Sequence, residues 1–486
     1  MSRSNVDGPV ETTRRDFLRD AVFGLHAVAA SGLLLRDGQL RAEDAPGRAG
    51  LHHPAKAARV IHIFLGGGLS HVDSFDYKPE LEKSHGKEMP AGLGKLDAFN
   101  GKVGRLHRSH YAFKRRGQSG LWVSDLFPQI AEVADELTVI RSMVAETANH
   151  IPGIFQANTG FRQMGFPSTG AWLSYGLGSE NENLPSFVVL PDARGIPNAA
   201  GGTFNWTSGF LPAQHQGVAF NTRAGGAAIL DLRPADGASP EVQHARLELL
   251  KELDQIHLEA RTQADPLTAR IRSYELAARM QAAIPEATDF AGEPEHIKKL
   301  YGLDRKECGD TARNCLTARR LIERGVRMVQ LWTGDGVSWD AHDDITGSGY
   351  KSHTGEALRV DRPIAGLIRD LKARGLLDST VVMISTEFGR TPFAQAESGK
   401  LNRGRDHHPQ AFTNLLIGAG LKKGFAHGAT DEVGYASVVD PVTTYDLHAT
   451  LLHLLGIDHE RLTYYHNGIR RRLTNVHGHV IENILA

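Results

Sequence analysis

Arg59-Val60-Ile61-His62-Ile63-Phe64-Leu65-Gly66-Gly67-Gly68 is the stretch on which the fold turns. A β-branched, mostly apolar run without polar alternation reads as a strand buried on both faces, the habit of a parallel sheet covered by helices. The three glycines after it let the backbone turn sharply and come close to a ligand. Further strands are predicted at Leu137–Met143, Ser186–Leu190, Arg327–Trp332, Val381–Thr386 and Leu415–Ile417.

Helical patterns alternate with these strands. Thr311–Arg324, Ala357–Arg374 and Asp446–Leu455 are amphipathic, and Gly325, Gly375 and Gly456 stand where a helix is stopped. Glu241–Ala283 lacks glycine and is rich in Ala, Leu, Glu and Arg, so it reads as a helical insertion within about 240–300, divided at Pro266. Strand–helix alternation predicts an α/β fold of three layers, a mostly parallel sheet with helices on both faces.

The chain has 486 residues and a formal net charge of −1. Near-neutral charge argues against nucleic acid as a standing partner. Two cysteines, Cys308 and Cys315, exclude a disulfide scaffold and a cysteine-rich zinc site. On one continuous helix their Cα atoms would stand roughly 10 Å apart, beyond disulfide reach, so two buried thiols are expected. Histidines number 24, several of them beside acids, which raises the expectation of a metal or acid–base site.

Thr13-Arg14-Arg15-Asp16-Phe17-Leu18 precedes an apolar run from Ala21 to Leu35. Paired arginines before roughly 15 apolar residues, short of the about 20 a bilayer span needs, resemble a twin-arginine export signal. Residues 1–50 are therefore expected to be signal and linker, with cleavage just after Ala42, and residues 51–486 the folded domain. Export implies the periplasm or cell envelope. No other segment is long and apolar enough to span a membrane.

Ligands in open α/β sheets gather at the carboxyl ends of strands, and four polar clusters follow the predicted strands. His71, Asp73 and Asp76 follow the glycine loop, as metal ligands or as part of a capped turn. Asn149-His150 is a helix N-cap with an adjacent imidazole. Trp339-Asp340-Ala341-His342-Asp343-Asp344 is a solvated loop or a cation site, because so many ionisable groups cannot be buried without partners. Glu387 comes straight off an apolar strand, with Arg390 behind it and Arg405-Asp406-His407-His408-Pro409 further on. Arg390 and Arg405 have the bidentate geometry to grip an anion. Pooled, these residues are the inventory for one or two divalent metals acting on a phosphate or sulfate ester.

Several of these runs carry a family resemblance: Gly67-Gly68-Leu69-Ser70-His71-Val72-Asp73-Ser74-Phe75-Asp76, Trp172–Gly178, Trp339-Asp340-Ala341-His342, Glu387-Phe388-Gly389-Arg390-Thr391-Pro392 and Gly404-Arg405-Asp406-His407-His408-Pro409. Together they resemble the domain-of-unknown-function family 1501, which looks related to the sulfatase and alkaline phosphatase superfamily. The resemblance implies an alkaline-phosphatase-like core. It also implies a divalent metal (zinc, calcium or manganese) held by Asp73, Asp340, His342, Glu387, His407 and His408. Thr159-Gly160 puts His150 near the superfamily's nucleophile position, where no hydroxyl or thiol stands; it is expected as nucleophile, base or ligand, with Arg390 and Arg405 clamping substrate. The expected substrate is an anionic small molecule or polysaccharide. A degenerate member that binds an anionic polymer or serves in envelope assembly is the alternative.

Overall fold

The computed structural model describes residues 51–90, 103–194, 201–223, 239–259, 275–277, 279–280, 283–334, 336–397 and 400–486. The twin-arginine segment and Pro266 lie outside them. The strands that matter here are β1 (Arg59–Leu65), β2 (Leu137–Val144), β3 (Phe187–Leu190), β4 (Val218–Ala219), β5 (Met328–Thr333), β6 (Thr380–Ser385), β7 (Gly389–Ala394), β8 (Arg405–His408), β9 (Phe412–Gly418), β10 (Phe425–His427) and β11 (Val442–Thr443). The helices are α1 (His150–Thr159), α2 (Thr169–Leu177), α3 (Pro240–Glu259), α4 (Glu295–Tyr301), α5 (Gly309–Glu323), α6 (His353–Ala373) and α7 (Thr444–Leu454).

The central sheet runs β10-β2-β9-β6-β1-β5-β3-β4, with β11 beside β2. β1 lies between β6 and β5, parallel to both, with Val60 level with Val381 and Met328. β9 is antiparallel to β2 and to β6, and the other pairings are parallel. The central position of β1 explains its mostly apolar run, in which His62 is the one polar residue after Arg59. Ile61, Ile63 and Leu65 face a core shared with Leu316 and Ile322 of α5 and Val360, Ile364 and Leu371 of α6. On the opposite face Gln330 donates to Asn158 Oδ1 of α1 at 2.5 Å, and α2 packs so closely on Phe187 that Gly170 has no room for a side chain. The expected three-layer α/β architecture is present. Each fully buried aliphatic side chain contributes about 1.5–3 kcal/mol to holding these layers together.

The helix ends follow local chemistry. Gly325, Gly375 and Gly456 have φ of 85°, 70° and 78°, the left-handed conformation that ends a helix cheaply only at glycine. α7 begins before the predicted Asp446, because Thr443 and Asp446 form a reciprocal capping box. α6 begins earlier than predicted for the same kind of reason, since the Ser352 hydroxyl accepts from Gly355 N.

α3 and α4 lie in the stretch between β4 and α5. Cys308 and Cys315 are both free and buried. Among the described residues no helix is long and apolar enough to cross a membrane.

One feature departs from expectation. The segments around Arg390 and Arg405, read as strand-end loops, form an antiparallel hairpin of β7 and β8, with His408 opposite Gly389. Every residue of both strands is buried, and a buried backbone must pair its own N–H and C=O groups. Strand pairing does so here despite the polar sequence.

Candidate metal centre at the carboxyl edge of the sheet

Because β1, β2, β5 and β6 run parallel, their carboxyl ends share one edge. Gly66–Gly68 follows β1, His150 follows β2, Trp339–His342 follows β5 and Glu387 follows β6. The contact between two of these loops depends on glycine. Gly67 has φ +119°, and a Cβ there would stand 2.6 Å from Trp339 N and 2.7 Å from Asp340 N. Gly404 brings the hairpin against His342; a Cβ there would lie 1.7 Å from His342 O. Asn149 caps α1 by accepting from Ile151 N at 3.3 Å, which sets His150 on the first turn, pointing into the edge.

Asp340 Oδ1 is the hub. His342 Nε2 lies 2.7 Å from it, His407 Nε2 3.0 Å and His150 Nε2 3.2 Å. Arg390 Nη2 is 2.6 Å from the same oxygen, and Lys351 Nζ is 3.1 Å from Oδ2. His342 Nε2 and His407 Nε2 stand 2.9 Å apart. Candidate ligand atoms of His150, Asp340 and His407 all fall within 4.8 Å of one another.

The far nitrogens of these rings are also held. His150 Nδ1 lies 2.6 Å from Glu387 Oε1, and His407 Nδ1 lies 2.7 Å from Ala148 O. His342 Nδ1 bonds to Gln395 Oε1. A carbonyl oxygen only accepts, so His407 carries its proton on Nδ1. Burial, helped by the Arg390 charge and opposed by Asp340, holds the His407 pKa down to about 4, so at neutral pH its Nε2 presents a bare lone pair. That lone pair faces Asp340 Oδ1, an acceptor meeting an acceptor, which a cation between them would reconcile. For His150 burial works against charging, but the carboxylates of Asp340 and Glu387 outweigh it and raise the pKa. Burial likewise opposes ionisation of Asp340, yet the hydrogen bond with His150 and the Arg390 charge hold its pKa below the carboxylate range. Ligand atoms converging inward with the outer N–H groups tied to carbonyl, carboxylate and amide is the arrangement of metal-binding histidines.

His150, Asp340, His342 and His407 come together; the other predicted site residues stand elsewhere. Glu387 sits one layer behind, on His150 Nδ1 and on Gly67 N at 2.9 Å, where it orients an imidazole. His408 points away from the cluster, its Nε2 bonded to Tyr435 O and its pKa pushed down to about 3 by burial. Asp73 pairs with Arg405 at 2.6 Å and accepts from Ser70 Oγ at 2.5 Å. Burial raises the Asp73 pKa, but Arg405 and Ser70 overcome that and hold it at about 2.

The expectation that Arg390 and Arg405 grip substrate is corrected. Both side chains are 0% exposed. Arg390 donates to Gly67 O, to Gly68 O at 3.0 Å and to Arg405 O at 3.2 Å. Arg405 donates to Asp73, Thr391 O and His107 O. These guanidinium groups are struts that tie loops together. Gln395, Lys351 and the Ala148 carbonyl were absent from the sequence reading. The proximity of Gln395 to the His-containing hairpin was the one signal available for it.

Fold and site define an α/β protein that carries a partly buried histidine–aspartate cluster where the strands of a mostly parallel sheet end. The family model described as Protein of unknown function (DUF1501) matches residues 57–485, and the chain belongs to that family. No curated protein matches it. Among solved structures it is similar to a protein in the alkaline phosphatase superfamily from Vibrio parahaemolyticus, at 12% identity over 84% of this chain and 69% of that one, with a TM-score of 0.34. It is similar to the alkaline phosphatase of the Antarctic bacterium TAB5, at 8% identity over 84% and 99%, TM-score 0.35. A third likeness is to the lipoteichoic acid synthase LtaP from Listeria monocytogenes, at 10% identity over 84% and 74%, TM-score 0.34. Likeness at this level assigns no residue a role.

Proposed function

We propose that this chain is a divalent-metal-dependent hydrolase of phosphate or sulfate esters, or of a related anionic small molecule or polysaccharide. We propose further that it is exported by the twin-arginine route and acts in the periplasm or cell envelope. The observation that carries the enzymatic reading is the convergence of three imidazole Nε2 atoms on Asp340 Oδ1 with each Nδ1 held from behind. His150, His342 and His407 would hold the ion through Nε2 and Asp340 through Oδ1. Imidazole with carboxylate suits zinc or manganese better than calcium, which prefers an all-oxygen shell.

When bound, such an ion supplies Lewis-acid polarisation of an ester oxygen and eases deprotonation of water. The chain's own residues then do the rest. Glu387 keeps the His150 proton on Nδ1, Ala148 O does the same for His407, and Arg390 stabilises Asp340 as the carboxylate. A second reading, a protein that binds an anionic polymer without turnover, draws on His150 standing where the superfamily nucleophile is expected, with no hydroxyl or thiol there.

The test is metal analysis of protein purified without chelator, beside Asp340→Asn and His407→Ala variants, followed by assay on p-nitrophenyl phosphate and sulfate. Near-stoichiometric metal that falls in both variants, with turnover, is expected. Absence of metal under every loading condition overturns the hydrolase reading and leaves the binding reading.

A further inference from the structure

We propose that α3 is a self-association surface, on which a second copy of this chain lies antiparallel across a two-fold axis at Leu249. The inference is independent of what the metal centre does.

α3 runs for 20 residues, and none of its described side chains is buried. Its apolar residues are left in solvent: Val242 is 47% exposed, Leu249 57%, Leu253 53% and Ile256 65%. At 3.6 residues per turn these four and Ala245 form one stripe along the helix. A lone helix gains little stability in water from propensity, and packing of its apolar stripe supplies most of the rest. Further along the chain, Met280 and Ile284 belong to the main core with Leu316 and Ile322, so they do not cover it.

The stripe complements itself. Turned end for end about Leu249, it sets Val242 level with the partner's Ile256, Leu249 against the partner's Leu249, and Leu253 level with the partner's Ala245. Apolar meets apolar in each of these layers, and a contact of this two-fold kind closes as a dimer.

Charge selects the direction. The described charged side chains of α3 are Glu241, Arg246, Glu248, Glu252 and Asp254. Arg246 borders the stripe. In a parallel pair it would face the partner's Arg246 across the seam, whereas in the antiparallel pair it comes beside the partner's Asp254 on the same flank. Glu248 and Glu252 line the other flank, where the two-fold sets them beside the partner's Glu248 and the partner's Glu252, so that flank opposes association. Glu241 is held at the helix start, accepting from Ser239 Oγ at 2.7 Å.

Sedimentation velocity of the full-length protein across micromolar concentrations is the test. The wild type is expected to pass from monomer to dimer as concentration rises. Leu249→Glu should weaken association by more than about tenfold, with the melting temperature unchanged, because no described side chain of α3 enters the core. Asp254→Arg should also weaken it, and combining Arg246→Asp with Asp254→Arg should restore it. Glu252→Gln should tighten it by relieving the acidic flank. Under mild oxidation with diamide, Leu249→Cys should crosslink as a dimer and Val242→Cys should not, since the antiparallel pair holds its two 242 positions roughly 20 Å apart. A wild type that stays monomeric at every concentration, or a Leu249→Glu variant that dimerises as the wild type does, overturns the inference. Val242→Cys crosslinking as readily as Leu249→Cys overturns the antiparallel arrangement.

Discussion

Lowering the pH from 8 to 5 should remove much of the stability of this fold, because several histidines are buried neutral. His62 bonds to Ser385 Oγ at 2.7 Å inside β1, and burial holds its pKa down to about 3. His353 accepts from Ser70 N at 2.9 Å, and burial holds it at about 3. His448 faces Ala157 O at 3.0 Å and is held at about 4 by burial. An unfolded histidine titrates near 6.5, so as pH falls the unfolded chain takes up protons before the folded one does. Above pH about 6.5 these groups cost nothing; below it each removes about 1.4 kcal/mol per pH unit until its folded pKa is reached. At pH 5 the loss is about 2 kcal/mol per histidine and about 6 kcal/mol for the three, against a total stability of roughly 5–15 kcal/mol for a typical domain. Urea unfolding followed by tryptophan fluorescence at pH 8, 7, 6 and 5 measures it. The His448→Gln variant removes a histidine that makes no contact with Asp340, and its pH slope should be shallower by about 1.4 kcal/mol per unit. A wild-type stability that holds within 1 kcal/mol of its pH 8 value, or a His448→Gln slope equal to that of the wild type, would refute the reasoning.

Glu387→Gln takes a carboxylate from His150 Nδ1 and should weaken metal affinity about 10–100-fold, read by competition with a chromogenic chelator. Arg405→Met strips the partner from Asp73 in a pair that is 0% exposed on both sides and should cost about 3–5 kcal/mol in urea unfolding. Gly404→Ala places a methyl against His342 O and should lower both melting temperature and metal content, whereas alanine at exposed Gly349, which meets no atom, should lower neither. Cys308, its pKa raised to about 11 by burial, and buried Cys315 should react with a thiol dye only as fast as the protein unfolds.

Strands and helix stops were legible because their causes are local. β1 needs a mostly apolar run to lie between two parallel neighbours, and a C′ glycine needs only its own positive φ. The predicted helix starts erred where a cap lay outside the apolar pattern, as Ser352 and Thr443 do. The β7–β8 hairpin was missed for the converse reason: its residues are polar, and what makes them strands is burial by the rest of the chain.

Site residues obeyed a harsher rule, since sequence proximity overstated how many neighbours can share a centre. His407 and His408 are adjacent on a strand, and successive strand residues point to opposite faces. One meets Asp340 and the other meets Tyr435, so the doublet offers one ligand rather than two. In the run after β5, Asp340 and His342 turn inward while Asp344 pairs with Arg403 at 2.7 Å. The arginines show the same limit from the other side. Their five donors suit a substrate anion, but they suit the carbonyls of crossing loops equally well, and only the finished fold decides which is nearer. Three imidazoles drawn from α1, the β5 loop and the hairpin need rigid struts to meet within hydrogen-bonding distance of one oxygen. Arg390, which joins Gly67, Gly68, the hairpin and Asp340 through one guanidinium, is the residue that makes that meeting possible.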